Sequence, residues 1–380
     1  MALSRRKTLA LIGGGVILAA CGSAYRLTRT PDQAIRPWAA AGQYSDPRMA
    51  ALSYAILAPN PHNRQPWIVD LGTADDVTLY VDTSRLLPET DPFSRQIVIG
   101  LGCFLETMVL AAAAHGMAVE LDIFPDGEDA TGLDNRRVAV ARFSQGGRAE
   151  PALFDQVLHR RSLKEPFDTA RPVGQSELDQ LRGAVVRGAS VQATNAAKDV
   201  AELRDMTAEA LRIELETPHT YKESVDLFRI GHREIEANPD GIDFSGPFFE
   251  AAHLTGQFTR EKALDPAGYS FKEGLNMTTS TARTGMAYIW LTTEGNSRGE
   301  QIVAGRDWVR LNLAATALGI GVQPMSQPLQ EYPEMAGLYG DVHKRLAPTG
   351  SVVQMLGRLG YGPGVPQSPR WPIEEKVRNA

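Results

Sequence analysis

In the segment RRSLKEPFD, Arg160, Ser162 and Lys164 stand at alternate positions. Extended backbone sends successive side chains to opposite faces, so these three would project on one side and offer two cations and a hydroxyl to a single anionic group such as a phosphate. A solvated basic helix end is the competing reading of the same residues, because cations favour a helix C-terminus. A second segment, APNPHNRQPW, surrounds Asn60 and Asn63 with Pro59, Pro61 and Pro66 and places Gln65 before a Pro-Trp. Proline excludes regular helix and removes backbone donors, so the stretch is an ordered loop whose amides can both donate and accept. A plain Pro-rich turn is the bland alternative.

Other chemistries find no support. The seven histidines, at 62, 115, 159, 219, 232, 253 and 343, show no paired metal spacing with acids or cysteines, and no metal is expected. The GLG at 100–102 is too short for a dinucleotide fingerprint, and G-x-S-x-G is absent. Cys103 lies in an apolar run with nothing nearby to lower its pKa, and reads as a packing residue.

Four segments together carry a resemblance. APNPHNRQPW resembles the AP-x-x-x-N-x-QPW loop of the nitroreductase family of FMN proteins, and RRSLKEPFD resembles its R-x-S-x-R/K-x-F segment; ATALGIGVQPMSQ and RLGYGPGVPQSPRWP are similar to its third and fourth segments. In most of the family the R-x-S segment comes first. Here the QPW loop precedes it by about a hundred residues, and with NPDGI, a long insertion and SPRWP this order is similar to the Acg-like branch, in which one chain carries both halves of a pseudo-dimer. The resemblance covers roughly residues 48–375. It implies an α+β nitroreductase-like fold of two related halves in one chain, and FMN as cofactor. It also implies that Arg160, Ser162, Lys164 and Arg370 meet the phosphate. Pro59, Asn60, Pro61 and Asn63 would then follow the ribityl chain and ring edge, with Gln65 bracing the loop. Pro324, Met325, Ser326 and Gln327 align with the stretch whose backbone N–H reaches flavin N5. The chain departs from the family at Ser326-Gln327, where many relatives have Glu-Gly, and at Ser368, where a second base is common.

The elements that position these residues follow from periodicity. Residues 48–57 and 95–115 read as helices, the second closed by Gly116, and WIVDL, VTLYVD, VELDIF and RRVAVARF read as strands. The run from Pro151 reads as a helix stopping before Pro166, Ser176 as the cap of the next, and 195–236 as mostly helical. A strand MAYIWLTT, a helix ending at Gly319 and a strand SVVQMLGRLGYG close the chain. The divisions expected are an export signal at 1–20, a tether or arm at 21–46, a first half at 47–148, and a second half at 149–380. Within the last, the insertion at about 239–284 is long enough for a lid over the flavin.

Composition is that of a globular body, 43% hydrophobic and 22% charged over 380 residues. The net charge of −6 becomes −9 without residues 1–20, which carry Arg5, Arg6 and Lys7 and no acid, and this argues against nucleic acid as a partner. SRRKTLALIGGGVILAACG has the basic start and short apolar middle of an export signal; Arg5-Arg6 resembles a twin-arginine motif, with Thr8 where a large apolar residue is usual. LAAC resembles a lipoprotein box with Cys21 as the lipidated residue. The expectation is an exported, periplasmic-side, membrane-anchored lipoprotein. It would be an FMN oxidoreductase reducing a small acceptor by hydride transfer with an unidentified electron donor, and no catalytic acid or base is assigned. A flavin-sequestering protein with a covered FMN is the alternative.

Overall fold

The computed structural model describes residues 31–347 and 349–379; residues 1–20, expected to be an export signal, and Cys21 lie outside the described residues. Residues 31–46 lie against the body as an arm with one helical turn, α1 (Arg36–Ala40), and bury Trp38. Helix α2 (Pro47–Ala55) starts at a proline, which suits the first helical position, and the Asp46 carboxylate accepts the Arg48 N–H at 2.8 Å. After the 58–67 loop come β1 (Trp67–Asp70), β2 (Asp76–Val81), α3 (Arg95–Ala114), β3 (Met117–Ile123) and β4 (Arg137–Gln145). The chain continues through α4 (Pro151–Phe154), α5 (Gln175–Gly183), β5 (Ser190–Thr194), α6 (Ala197–Glu216), α7 (Pro218–Asp226), β6 (Phe228–Ile230) and α8 (Gly231–Ala237). The insertion contributes β7 (Ile242–Phe244), α9 (Pro247–Leu254), α10 (Arg260–Leu264) and α11 (Tyr269–Ala282). Then follow β8 (Ala287–Thr293), α12 (Arg298–Ala317), β9 (Gly321–Pro324), α13 (Ala336–Leu346), β10 (Val352–Gly360) and β11 (Val377–Arg378).

The expected duplication is visible in the connectivity. One sheet runs β11-β1-β2-β4-β3 and the other β5-β8-β10-β9. Strands 1, 2, 4 and 3 therefore match 5, 8, 10 and 9 in order. In each half a helix of 20 residues joins the second strand to the edge strand, α3 in one and α12 in the other. Each helix ends beside a left-handed glycine, Gly116 at φ 78° and Gly319 at φ 68°, a conformation that side chains resist. The α+β class and the two related halves stand as expected.

The two long helices cross at glycines. A Cβ on Gly305 would lie 2.0 Å from the Ile99 carbonyl oxygen, and one on Gly102 would lie 2.4 Å from that of Ile302, so the backbones touch. Cys103 sits in this crossing, donating its Sγ–H to the Gly305 oxygen at 3.1 Å, and burial pushes its thiol up to about 12; it is the packing residue expected. Helix α3 is long and apolar enough to cross a membrane, but 83% of its apolar window is buried among the other elements, which makes it a core helix. Beside the crossing the buried Glu106 binds Arg187, Arg306 and Arg310 at 2.7, 2.8 and 2.9 Å and ties the halves together.

Several local expectations change. The helix expected from Pro151 shrinks to α4, because the chain is drawn into the second sheet: Ser162 bridges Val322 in parallel and the Leu163 N–H donates to the Val322 oxygen at 3.0 Å. Leu163 and Phe167 fill space left by Gly321 and Gly360, and that packing overrides helix propensity. Gly174, not Ser176, occupies the cap position of α5. Strand β5 and helix α13 are elements that the sequence reading did not mark. The C-terminal β11 pairs in parallel with β1, so the later part of the chain lends a strand to the earlier sheet. The insertion's Phe244 and Phe258 pack on Phe228, and Phe249 packs on Phe244 and Phe258, with centroids 4.6 to 6.2 Å apart, forming a small core of their own.

Candidate functional site

The loop after α2 is strained. His62, Asn63 and Gln65 hold φ values of 45°, 51° and 50°, a region that costs a non-glycine residue roughly 1–3 kcal/mol and persists only where surroundings enforce it. The surroundings here are the loop's own amides and the C-terminal segment. Gln65 is wholly buried: its N–H donates to Asn60 Oδ1 at 2.7 Å, its Nε2 to the Pro239 oxygen at 2.7 Å, and its Oε1 accepts the Trp371 N–H at 2.9 Å. Lys376 Nζ donates to the Gln65 carbonyl at 3.3 Å. Asn63 Nδ2 donates to the Pro369 oxygen at 3.0 Å, and Asn60 Nδ2 to that of Ala58 at 3.2 Å. Gln65 thus braces the loop. The side-chain amides of Asn60 and Asn63, expected along a ligand, also hold protein groups, leaving Pro59, Pro61 and His62 partly buried beside them. Asn60 and Pro61 rest on Gly100 of α3, where a Cβ would meet Pro61 Cδ at 3.1 Å.

Two guanidiniums sit at the end of α2, where helix carbonyls carry partial negative charge. Arg370 is 3% exposed and every N–H it has is engaged: Nε by Ile56 O, Nη1 by Asn63 Oδ1, Ser368 Oγ and Pro369 O, and Nη2 by Leu57 O and Ala58 O. It clamps the loop. Arg160 is 4% exposed and donates from Nη2 to the Leu57 oxygen at 3.2 Å, while its buried Nη1 has no partner. Neither arginine touches a carboxylate. Burial and neighbouring arginines push Arg160 down to about 10 and Arg370 down to about 9. Arg161 and Arg370 flank the Trp38 ring, 4.3 and 5.7 Å from its centroid, and Trp38 Nε1 donates to the Ser368 oxygen at 2.8 Å. The arm is thereby part of the site's wall, which periodicity could not reveal.

Among the described residues, the Ser162 hydroxyl and the Lys164 ammonium form no side-chain hydrogen bond, so Arg160 Nη1, Ser162 and Lys164 make an alternating row of unengaged donors. The field of Lys164 reaches three other elements: it acts on His62 of the loop, Asp243 of β7 and Glu214 of α6. The QPW loop and the R-x-S-x-K stretch, far apart in sequence, therefore share one region. His62 is pushed down to about 4, by burial first and then by Lys164 and Arg64, and its Nδ1 has no partner. Burial raises the Asp243 carboxyl, against the pull of Lys164 and Arg370.

The third segment divides. Met325 is fully buried and its N–H donates to the Leu356 oxygen at 2.8 Å, so it belongs to the core and offers no free donor. The backbone N–H groups of Ser326 and Gln327 have no protein acceptor among the described residues. Behind them lies Glu214, 5% exposed and pushed up to about 7 by burial, against the opposing hydrogen bonds of Gln330 and Gln327. It was not singled out in the sequence, although a signal existed: Val200, Leu203, Thr207, Ala210 and Leu211 mark the buried stripe of α6, and position 214 continues it.

An open surface cleft lined by Tyr80, Asp126, Arg136 and Arg137 lies elsewhere, bounded by exposed ion pairs. No group of histidines, cysteines and acids among the described residues could hold a metal ion.

No family model matches the chain. A Mycobacterium tuberculosis protein provisionally named NAD(P)H nitroreductase is 24% identical over 330 residues, covering 86% of this chain and 89% of that one. A second protein of that organism, provisionally named NAD(P)H nitroreductase acg, is 25% identical over 340 residues, covering 86% and 93%. Among solved structures, the FMN-dependent nitroreductase NfnB of Mycobacterium smegmatis, in complex with NADPH, is 18% identical over 60% of this chain and 98% of its own, with a TM-score of 0.35. A nitroreductase-type protein from Anabaena variabilis is 13% identical over 81% and 82%, with a TM-score of 0.39. Those superpositions are loose, and the fold rests on the chain's own topology. Over most of its length the chain is thus similar to proteins provisionally named NAD(P)H nitroreductases, acg among them.

Proposed function

We propose that the chain binds FMN between the 58–67 loop, the Arg160–Lys164 row and the Ser326–Gln327 turn, and works as a nitroreductase-type oxidoreductase on a small acceptor. The observation that carries this reading is the row of unengaged donors, Arg160 Nη1, Ser162 and Lys164, beside a loop held in a strained conformation. A buried guanidinium without a carboxylate is unfavourable alone and is relieved by an anion, and a phosphate supplies the acceptor oxygens such a row lacks. Arg370 then acts on the phosphate through its charge and by fixing the loop, since its own donors are engaged. When bound, FMN supplies two-electron chemistry, taking a hydride equivalent from a donor and delivering it to an acceptor. The chain's part is to orient and tune. The N–H groups of Ser326 and Gln327 present fixed dipoles where charge develops, and Lys164 adds a positive field. Trp38 and the arm shield the buried cations from water.

The insertion favours a second reading, a flavin-holding protein with little turnover. Its start is pinned to the loop, Pro239 accepting from Gln65 and the Gly241 N–H donating to the Asn63 oxygen at 3.3 Å. A cover so fixed would slow access of acceptors. Purified protein that is yellow and releases FMN on heating supports the binding site, and colourless protein refutes it. Reoxidation of dithionite-reduced protein by nitroaromatics or quinones faster than by air favours the enzyme; equal rates favour holding. Export and lipidation at Cys21 belong to the same proposal and rest on the sequence of residues 1–21. Fatty-acid labelling that survives Cys21→Ser would remove that part.

A further inference from the structure

Among the described residues six large hydrophobic side chains are exposed, and four of them, Phe248, Leu254, Tyr269 and Met277, fall within the insertion. Single apolar residues on a surface need no explanation, but four gathered in one short stretch mark a place of contact. Helix α9 shows why they gather. In its sequence, PFFEAAHL, only Glu250 and His253 are polar, yet no residue of the helix is fully buried. A helix apolar all round belongs in a core or against a membrane. Phe249 turns inward to Phe244 and Phe258, and the Glu250 carboxylate is taken up by α8, accepting the His232 N–H at 3.0 Å. Phe248 and Leu254 are left outside, 52% and 78% exposed. The end of α9 adjoins the start of α11, because the Ser270 hydroxyl donates to the Gln257 oxygen at 3.4 Å. Leu254 therefore neighbours Tyr269, and Met277 follows about two turns along α11.

The arm shows what this face meets. The Gln33 and Ala34 N–H groups donate to the Glu236 carboxylate at 3.0 and 3.1 Å, and Glu236 stands one turn along α8 from His232, the residue that meets α9. The described chain thus begins beside the apolar helix. Cys21 precedes Pro31 by ten residues, a span of at most about 35 Å. We propose that this face docks on the lipid surface that holds the tether, with Leu254 and Tyr269 at its centre and Phe248 and Met277 to either side. The proposal rests on the reading of Cys21 as lipidated given above. Tyrosine, an apolar ring with a polar tip, suits the headgroup level, and aliphatic side chains suit the acyl boundary. Charge has little part in it: α9 carries no lysine or arginine, and Lys262 and Lys272 each stand beside an acid, Glu261 and Glu273. Side chains as exposed as Leu254 and Tyr269 protrude and do not line a cleft, a shape that needs a fluid partner more than a complementary one.

The test uses the full chain with Cys21→Ser, so that no lipid on residue 21 decides the result, and a polarity-sensitive dye on one introduced cysteine: Leu254→Cys, Met277→Cys or, outside the insertion, the equally exposed Val186→Cys. Cys103 is buried and takes no dye, and residues 1–20 are common to all three proteins. With phosphatidylethanolamine–phosphatidylglycerol vesicles in excess, the dye at 254 and 277 should shift to the blue, gain emission by about twofold or more, and become quenchable by bromines on the acyl chains. The signal should survive high salt, and the dye at 186 should keep its aqueous emission. An unchanged dye at 254 overturns the proposal. So does an equal response at 186, which is general adsorption, or a signal lost in high salt, which is charge and not apolar burial. A response at 254 that grows with protein concentration in the absence of vesicles gives the face to a second copy of the chain, and one that follows FMN loading without vesicles gives it to a cover over the flavin; either overturns docking on lipid. Fatty-acid labelling of the wild type is scored separately. A vesicle response without labelling removes the anchor and keeps the face, whereas labelling with a silent dye at 254 keeps the anchor and removes the face.

Discussion

Replacing Arg160 with methionine should separate cofactor binding from stability. Arg160 is buried at the end of α2, without a carboxylate, and its pKa falls to about 10; relative to the ordinary guanidinium value that corresponds to about 3 kcal/mol against the charged form in flavin-free protein. Its one hydrogen bond, to the Leu57 oxygen at 3.2 Å, returns roughly 1.5–2 kcal/mol. Methionine keeps the apolar stem without the charge, so flavin-free Arg160→Met should be more stable by about 1 kcal/mol, a rise of roughly 1–2 °C in Tm for a chain of this size. Flavin binding should move the other way. Nη1 can give two charge-assisted bonds to a phosphate at about 1.5–3 kcal/mol each, so the variant's Kd should rise by roughly two to four powers of ten. The assay is absorbance near the flavin maximum after dialysis, paired with melting curves of both proteins stripped of flavin. A variant that stays yellow after dialysis would show that Arg160 does not meet the phosphate. A flavin-free variant melting several degrees lower would show that the arginine is a structural clamp like Arg370.

Gly305→Ala should break the helix crossing. The new Cβ would lie 2.0 Å from the Ile99 oxygen, so α3 and α12 must move apart; we expect a loss of about 1–3 kcal/mol in urea unfolding even after the gain in helix propensity, and an unchanged midpoint would contradict the packing described. His62 gives a pH signature of its own. Its folded pKa of about 4 lies below the unfolded value, so its contribution is complete above about pH 6.5 and is lost as pH falls towards 4, amounting to at most about 3 kcal/mol. His62→Asn, which tolerates the left-handed backbone there, should lack that slope, and identical curves for the two proteins would place His62 in water.

The long elements were legible because each carries apolar residues that the core must bury. Alternation marks β2, continuous apolar runs mark β4 and β8, and the apolar runs closed by Gly116 and Gly319 mark α3 and α12, since glycine alone takes φ near 70° without strain. The alternation of Arg160, Ser162 and Lys164 was legible too, and in the structure Ser162 joins a strand. The helix expected across 151–165 was wrong because helix propensity is local, whereas Leu163 and Phe167 answer to glycines on strands some 160 to 200 residues away in the sequence. The same limit applied to the amides: the sequence showed that Asn60, Asn63 and Gln65 belong to an ordered loop, but their partners Pro239, Pro369, Arg370 and Trp371 arrive only when the chain closes. Local sequence therefore determined which residues are polar, stiff or periodic, since those properties reside within a few bonds. Tertiary structure alone decided which donors remain unengaged and which acid is buried, because desolvation and hydrogen-bond saturation depend on every neighbour in space.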